Sequence, residues 1–406
     1  MTVRADPPMQ GEGAAVDLLA ALYPPPFAVQ AGAGRFGAAP TATKAAWAAI
    51  PSVDNPKLLV PIGSRSAATR TMRRQLNGRR LRTRMARAGL TLATGTGALM
   101  RMPRLRIVVA GPSNAPSIED PLREVLGVGA VRLTMPVGPP RSNRKPVLQV
   151  TDGSGQVLAF AKVGHNPLTQ RLVRQEGDAL RALGSIPFHD VRIPRVVAAL
   201  EWSGYDVLVL EPLDIPSRRL TGEAGRRRLL SVVLEVAAIG GRGPVPWAQH
   251  PLRGALLARS EQCGDQAARL RHEVGRISLG VSLATGSWHG DLNSGNVALV
   301  PGRCPVWDWE RFDSDVPVGF DLLHHDLHES ITTRGVPARL AATRLLRTAT
   351  ATLAPLGVDP NTADAVARSY LLTLACRYLA DDQRGAGGAL GRVDEWLLPA
   401  LEEVRS

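Results

Sequence analysis

Through the middle of the chain, apolar and polar positions alternate in short runs separated by turn residues, the pattern of antiparallel strands. Ala130–Met135, Pro146–Thr151 and Gln156–Val163 predict a three-stranded meander, with Asp152-Gly153-Ser154-Gly155 closing its second hairpin. The period then becomes helical. Thr169 reads as an N-cap, and Leu172, Val173, Ala179, Leu180 and Leu183 form one apolar stripe. Glu176 falls on that stripe. A buried carboxylate requires a partner, and Lys162, on the strand face of Leu158 and Phe160, is the natural one. Arg195–Leu200 and Tyr205–Leu210 predict two more strands joined by Trp202-Ser203-Gly204. From Ser217 the pattern is helical, over roughly 222–239, 251–277, 319–332, 336–355, 361–382 and 390–404. Earlier in the chain, 55–63 and 104–110 are strand candidates, forming either a subdomain or an extension of the sheet. Residues 1–45, rich in Ala, Gly and Pro, predict disorder or loose packing.

Chemistry concentrates in 287–310, which gathers His289, Asp291, Asn296, Asp308 and Glu310. Val297–Val300 and Pro305–Trp307 are β-type runs linked by Pro301-Gly302, so the stretch predicts a hairpin. Pairing Val300 near Pro305 sets Val297 near Asp308 and brings Asn296 and Asp308 to the open end together. An amide oxygen beside a carboxylate suits a hard cation such as Mg²⁺. Asp291 lies among Gly290, Asn293, Ser294 and Gly295, on a loop that leaves it free to face a substrate. A carboxylate to accept a hydroxyl proton, together with an Asn and an Asp to hold metal, is the set that phosphoryl transfer requires.

His289-Gly290-Asp291-Leu292 with Asn296, followed by Asp308-Trp309-Glu310, resembles the aminoglycoside phosphotransferase and choline kinase family. The resemblance implies an α+β, protein-kinase-like bilobal fold with an antiparallel N-lobe sheet, one helix and a mainly helical C-lobe. It makes Asp291 the catalytic base, His289 a brace of its loop, and Asn296 and Asp308 the Mg²⁺ ligands. It assigns Lys162 to the α and β phosphates of ATP, paired with Glu176. Asn293 and Ser294 depart from the residues common in that family. The loop 137–145, where a kinase covers the phosphates, has Gly138 alone, so its nucleotide role rests on Ser142, Asn143 and their amides. Leu210-Glu211-Pro212-Leu213 falls at the hinge position, where backbone groups of Glu211 and Leu213 meet the base. ATP and GTP are both compatible with this. Asp321 is expected to cap a helix and brace the catalytic loop. His324, His325 and His328 lack zinc spacing and read as helix-surface histidines.

Charge changes the picture in one place. The net charge is +13, yet residues 1–146 hold 21 Lys+Arg against 7 Asp+Glu, so the excess precedes the kinase-like part. Arg65, Arg70, Arg73, Arg74, Arg79, Arg80, Arg82, Arg84 and Arg87 form the main cluster. Nucleic acid, anionic lipid or an acidic partner would suit it. No aromatic residue interleaves with it to stack on bases, which favours a solvated surface arm. Cys263, Cys304 and Cys376 are scattered and predict neither disulfide framework nor zinc cluster. No secretory signal is evident and Ala88–Met100 is too short to span a bilayer, so a cytoplasmic setting is expected.

The expected organisation is an N-terminal extension at 1–120, partly disordered and Arg-rich, a nucleotide-binding N-lobe at 121–212 and a helical C-lobe at 213–406. The expected activity is ATP-dependent transfer of the γ-phosphate to a small-molecule hydroxyl. Asp313, Asp315, Asp326, Asp381, Asp382, Asp394 and Glu395 either line a pocket for a cationic aminoglycoside or amino alcohol or are surface helix charges, and a neutral sugar is the competing acceptor. The alternative is a catalytically silent kinase-like scaffold whose basic arm binds an anionic partner.

Overall fold

In the computed structural model the described residues are 14–31, 43–62, 106–138, 141–216, 218–385 and 389–404. The arginine cluster from Arg65 to Arg87 and the run Ala88–Met100 lie outside them. The chain forms two units, one of 1–140, 144–173 and 195–212, the other of 141–143, 174–194 and 213–406. Among the described residues no helix is long and apolar enough to cross a membrane.

The first unit is built on a nine-stranded antiparallel sheet, counted among the described residues. Its strands are β1 (Ala28–Ala31), β2 (Thr43–Ile50), β3 (Leu58–Pro61), β4 (Arg106–Ala110), β5 (Arg132–Pro136), β6 (Val147–Thr151), β7 (Val157–Gly164), β9 (Val196–Trp202) and β10 (Tyr205–Leu210). They run in the order β1-β4-β2-β3-β5-β6-β7-β10-β9. The predicted meander and the 196–210 hairpin are therefore present, and the early strands extend the same sheet through pairing of Leu58 with Pro136 and Leu59 with Met135. Within residues 1–45, where composition predicts disorder or loose packing, α1 (Ala14–Leu22) buries Leu18, Leu19 and Leu22 in the core that also holds Trp47, Ile107, Leu133 and Leu148. The β2 strand is Ala-rich, which hides it from a propensity reading, but Trp47 pairs with Ile107 and is fully enclosed.

A second helix, α2 (Glu119–Leu126), precedes β5, and α3 (Pro167–Leu183) follows β7. The cap of α3 differs from expectation. Asn166, just before the helix, accepts the Thr169 N–H at 2.9 Å, while the Thr169 hydroxyl accepts the Asn166 N–H at 3.1 Å. Asn166 is thus the cap and Thr169 its reciprocal partner, an arrangement that satisfies donors at both positions.

The second unit is mainly helical. It contains α4 (Gly222–Ala237), α5 (Pro251–Glu261), α6 (Ala267–Arg276), α7 (Phe320–His328), α8 (Ala338–Leu353), α9 (Ala363–Ala380) and α10 (Val393–Glu403). The single helix expected at 251–277 is broken at Gly264, whose φ is 54°. Three strands that the sequence reading did not name occur between the stretches read as helical: β11 (Arg242–Pro246), β12 (Ser282–Trp288) and β14 (Asp313–Pro317), ordered β11-β12-β14. A short parallel pair, β8 (Val191–Arg192) with β13 (Cys304–Pro305), completes the unit. Gly286 explains why β12 escaped notice, because a Cβ there would lie 2.1 Å from the Ala237 carbonyl oxygen of α4. Close helix–strand approach, rather than a β-branched side chain, defines this strand. The order of elements, strands interspersed with a few helices and then a mainly helical part, is that of the protein-kinase-like α+β fold.

Candidate active site

β12 delivers the chain into the loop 289–296, and two glycine-dependent features fix how it leaves the strand. Gly290 has φ 86°, and a Cβ there would meet the Arg311 carbonyl oxygen at 2.1 Å, so backbone passes against backbone. Asp321, buried on α7, accepts the His289 N–H at 2.7 Å and the Gly290 N–H at 3.2 Å. It braces the loop as expected but does not cap its helix; Gly319 occupies that position without a side-chain cap. Burial pushes the Asp321 carboxyl up to about 7, with the two N–H donors opposing that rise. Asp321→Asn exchanges one acceptor oxygen for an N–H group, leaving a buried backbone donor without a partner. That change is expected to cost about 1–3 kcal/mol, read as a lower thermal midpoint at pH 8. An unchanged midpoint would show that the brace contributes nothing.

His289 is fully enclosed, with its ring tilted against Trp309 at a centroid distance of 4.6 Å. Its Nδ1 accepts the Asp291 N–H at 3.2 Å, so Nε2 carries the proton and donates to the Trp307 carbonyl at 3.0 Å. Burial drives its pKa down to about 4 despite the opposing charges of Asp291 and Asp308. The ring is therefore neutral near pH 7, and both its nitrogens are engaged.

Asp291 is half-buried, with 35% of its side chain exposed. Its Oδ1 accepts from His324 Nε2 at 2.9 Å and its Oδ2 from Asn296 Nδ2 at 2.9 Å. Burial raises its pKa, but the hydrogen bond from His324, helped by Arg377, outweighs this and holds the group at about 2. It is a carboxylate throughout the neutral range. Arg377 also donates to the Gly290 carbonyl, and its guanidinium lies over Trp288 and Tyr378 at 5.8 and 5.7 Å.

The second limb of the site is an irregular hairpin. Val297 bridges Val306, the Trp307 N–H donates to Asn296 O at 3.0 Å, and the Ala298 N–H to Pro305 O at 2.9 Å. The register is two residues from the predicted one, so Val297 faces Val306 rather than Asp308. A two-residue shift preserves which face each side chain occupies. Asn296 consequently lies opposite Trp307, one residue from Asp308. Asp308 adopts φ 72° and ψ 53°, left-handed backbone that non-glycine residues adopt at a cost. Asp308, Glu310 and Glu176 present carboxylate oxygens within 4.8 Å of one another. Glu176 is fully buried on α3, as the helical stripe predicts. This all-oxygen donor set fits a hard divalent cation.

The remaining sequence candidates lie on β7, in the turn at 142–143 and just after β10. Lys162 is buried on β7, opposite Leu208 of β10 and Val147 of β6, on the face turned away from Ala159, Ala161 and Val163 of the core. Ser142 and Asn143 are half-buried in a turn, and the Ser142 hydroxyl is an enclosed group without a hydrogen-bond partner. Glu211 is exposed; its N–H donates to Arg195 O at 2.9 Å and its carboxylate pairs with the same arginine at 3.0 Å. Leu213 is half-buried.

The acidic residues suggested for a cationic acceptor are already matched by arginines. Arg259 meets Asp313, Arg242 meets Asp315, Arg226 meets Asp326, Arg311 meets Asp381, Arg384 meets Asp394 and Arg392 meets Glu395. Asp382 accepts the Gly385 N–H.

His324 is the residue that sequence reasoning missed. It is 3% exposed rather than on the helix surface, because α7 is buried on most sides. Its position three residues after Asp321, on the same helix face, was the available signal.

No family model matches the chain, and no curated protein matches it. Among solved structures it is similar to a thermostable mutant of the aminoglycoside phosphotransferase APH(4)-Ia in ternary complex with ADP and hygromycin B. That match has 15% identity and a TM-score of 0.44, covering 70% of this chain and 99% of the other. The gentamicin complex of APH(2")-IIa matches at 10% identity and a TM-score of 0.44, over 71% and 96%. The amicoumacin kinase hAmiN with AMP-PNP, Ca²⁺ and Ami matches at 13% identity and a TM-score of 0.37, over 67% and 88%.

Proposed function

We propose that this chain is a nucleotide-dependent phosphotransferase that moves the γ-phosphate of ATP to a hydroxyl of a small molecule. The observation that carries this reading is the join between the two limbs of the site. Asn296 binds Asp291 through its amide nitrogen while its backbone oxygen holds Trp307, next to Asp308.

Asp291, ionised and partly exposed, is the group to accept the proton of an incoming hydroxyl. Its two tethered oxygens fix the carboxylate plane, so the hydroxyl is oriented as well as deprotonated. Asn296 and Asp308 would hold magnesium, with Glu310 and Glu176 as further oxygen donors. When bound, the ion neutralises phosphate charge and polarises the transferred group. Lys162 is assigned to the α and β phosphates, where a compact ammonium suits a point contact. Ser142 and Asn143 are assigned to the outer phosphates, and the enclosed Ser142 hydroxyl is a donor that a phosphate oxygen would satisfy. The backbone groups of Glu211 and Leu213 are assigned to the base. His289 stays out of the chemistry, because its nitrogens serve the loop.

The arginine pairing of the acidic residues favours an uncharged polyol, such as a sugar, over an aminoglycoside. Displacing a formed Arg–carboxylate contact to seat an ammonium yields little net gain. A panel of neutral polyols, amino alcohols and aminoglycosides with ATP and magnesium is therefore expected to give its highest kcat/KM on a neutral member. A best substrate carrying two or more amines would reject the acceptor assignment, and no phosphorylated product from any member would reject the phosphotransferase reading.

A further inference from the structure

We propose that His324 is the positioning residue of this site, setting the orientation of the Asp291 carboxylate from beneath. The inference rests on the phosphotransferase reading for its kinetic consequence, and on geometry alone for the contact itself. Asp291 as a carboxylate can only accept, so the 2.9 Å contact requires the proton on His324 Nε2. Burial lowers the His324 pKa and keeps the ring neutral, which makes Nδ1 an acceptor. The group facing Nδ1 is the Tyr370 hydroxyl on α9, at 3.1 Å. Burial raises the Tyr370 pKa, so that hydroxyl retains the proton it donates. The directions then run one way, from Tyr370 to His324 to Asp291.

The Tyr370–His324 pair takes no part in proton abstraction itself, because both imidazole nitrogens are already engaged. Its effect is on placement. Trp288 and Tyr370 stand edge-on to the imidazole at 6.5 and 6.1 Å, and His328 stacks at 6.2 Å, so the ring is held by contacts on several sides. Asp321, one turn earlier on α7, holds the loop backbone at His289 and Gly290. One helix face thus fixes the backbone of the loop with a carboxylate and its acidic side chain with an imidazole. Without His324, Oδ1 of Asp291 would lose its tether and the carboxylate would turn about its remaining contact with Asn296.

His324→Leu keeps the volume and removes the donor, whereas His324→Gln keeps an N–H near the Nε2 position. For His324→Leu the expected result is a kcat about 10²-fold below wild type, the scale of a misplaced catalytic group. KM for ATP and for the acceptor should stay within about threefold, with the Mg·ATP-induced rise in thermal midpoint unchanged. His324→Gln should recover kcat to within about tenfold of wild type. A His324→Leu kcat within threefold of wild type, or a His324→Gln enzyme as slow as His324→Leu, would overturn the role. A measurement independent of turnover is ¹⁵N NMR of the histidine side chains in the full chain. The His324 signal should report the Nε2–H tautomer in wild type and a mixture of tautomers in Asp291→Ala. An Nδ1–H tautomer in wild type overturns the proposal whether or not the protein transfers phosphate. Failure of the acceptor panel with the expected tautomer intact would instead reject the function and keep the contact.

Discussion

Replacing Asp291 with Ala should lower phosphotransfer by about 10²–10⁴-fold, the usual contribution of a positioned general base. The binding of Mg·ATP should survive. Asp291 touches Asn296 through the amide nitrogen, so truncation leaves the amide oxygen in place for the metal. Its backbone is held by other groups: the Asp291 N–H bonds to His289, and its carbonyl accepts from Asn293 and Asn296 at 3.0 and 2.9 Å. The loop is thus expected to keep its shape. Turnover by acceptor assay and the thermal midpoint with and without Mg·ATP separate the two effects. Full activity in the variant would refute the base assignment, while loss of both activity and nucleotide binding would mean that Asp291 holds the loop rather than the proton.

The complementary result is expected at Asp308. Asp308→Asn preserves size and tolerates the left-handed backbone, since Asn adopts it at least as readily as Asp. It removes one charge from the Glu176–Asp308–Glu310 cluster. Ligand binding stabilises a fold by about 2.7 kcal/mol at a concentration one hundred times the dissociation constant. That gain in Mg·ATP should largely vanish in Asp308→Asn, and turnover should fall at least about 10²-fold. The midpoint without metal should remain close to wild type. A variant that still gains full stability from Mg·ATP would remove Asp308 from the metal site.

Much of this site could be read from one dimension. Asp291, Asn296 and Asp308 stand close in sequence, and a hairpin needs no distant element to bring its ends together. Glu176 was legible because a charged residue in an apolar helical stripe has few ways to exist. His324 was illegible for the converse reason. Polar helix residues default to the surface, and the burial of α7 is decided by α8 and α9, many residues later. The hairpin register shifted because a β-pattern fixes faces but leaves an even-numbered slip undetermined. Of the early strands, β1 and β2 were missed, the latter because alanine replaces the usual branched residues, and β12 was missed because glycine packing shaped it. The arginine partners of the acidic residues are distant in sequence at Asp313, Asp315, Asp326 and Asp381, so a count of carboxylates overstated the negative charge on offer.

The extension of the sheet by β3 has a practical corollary for anyone shortening this protein. A chain begun at residue 121, where the kinase-like pattern opens, would leave β5 as a bare margin, with the Val137 N–H, which donates to the Lys57 carbonyl at 2.9 Å, left unanswered. It would also uncover Leu133, Met135 and Leu148, whose apolar neighbours Trp47, Leu59 and Ile107 would be gone. Such an edge invites strand addition between molecules. The segment ahead of the kinase-like part is therefore best regarded as inseparable from it in the folded protein, whatever else it contributes.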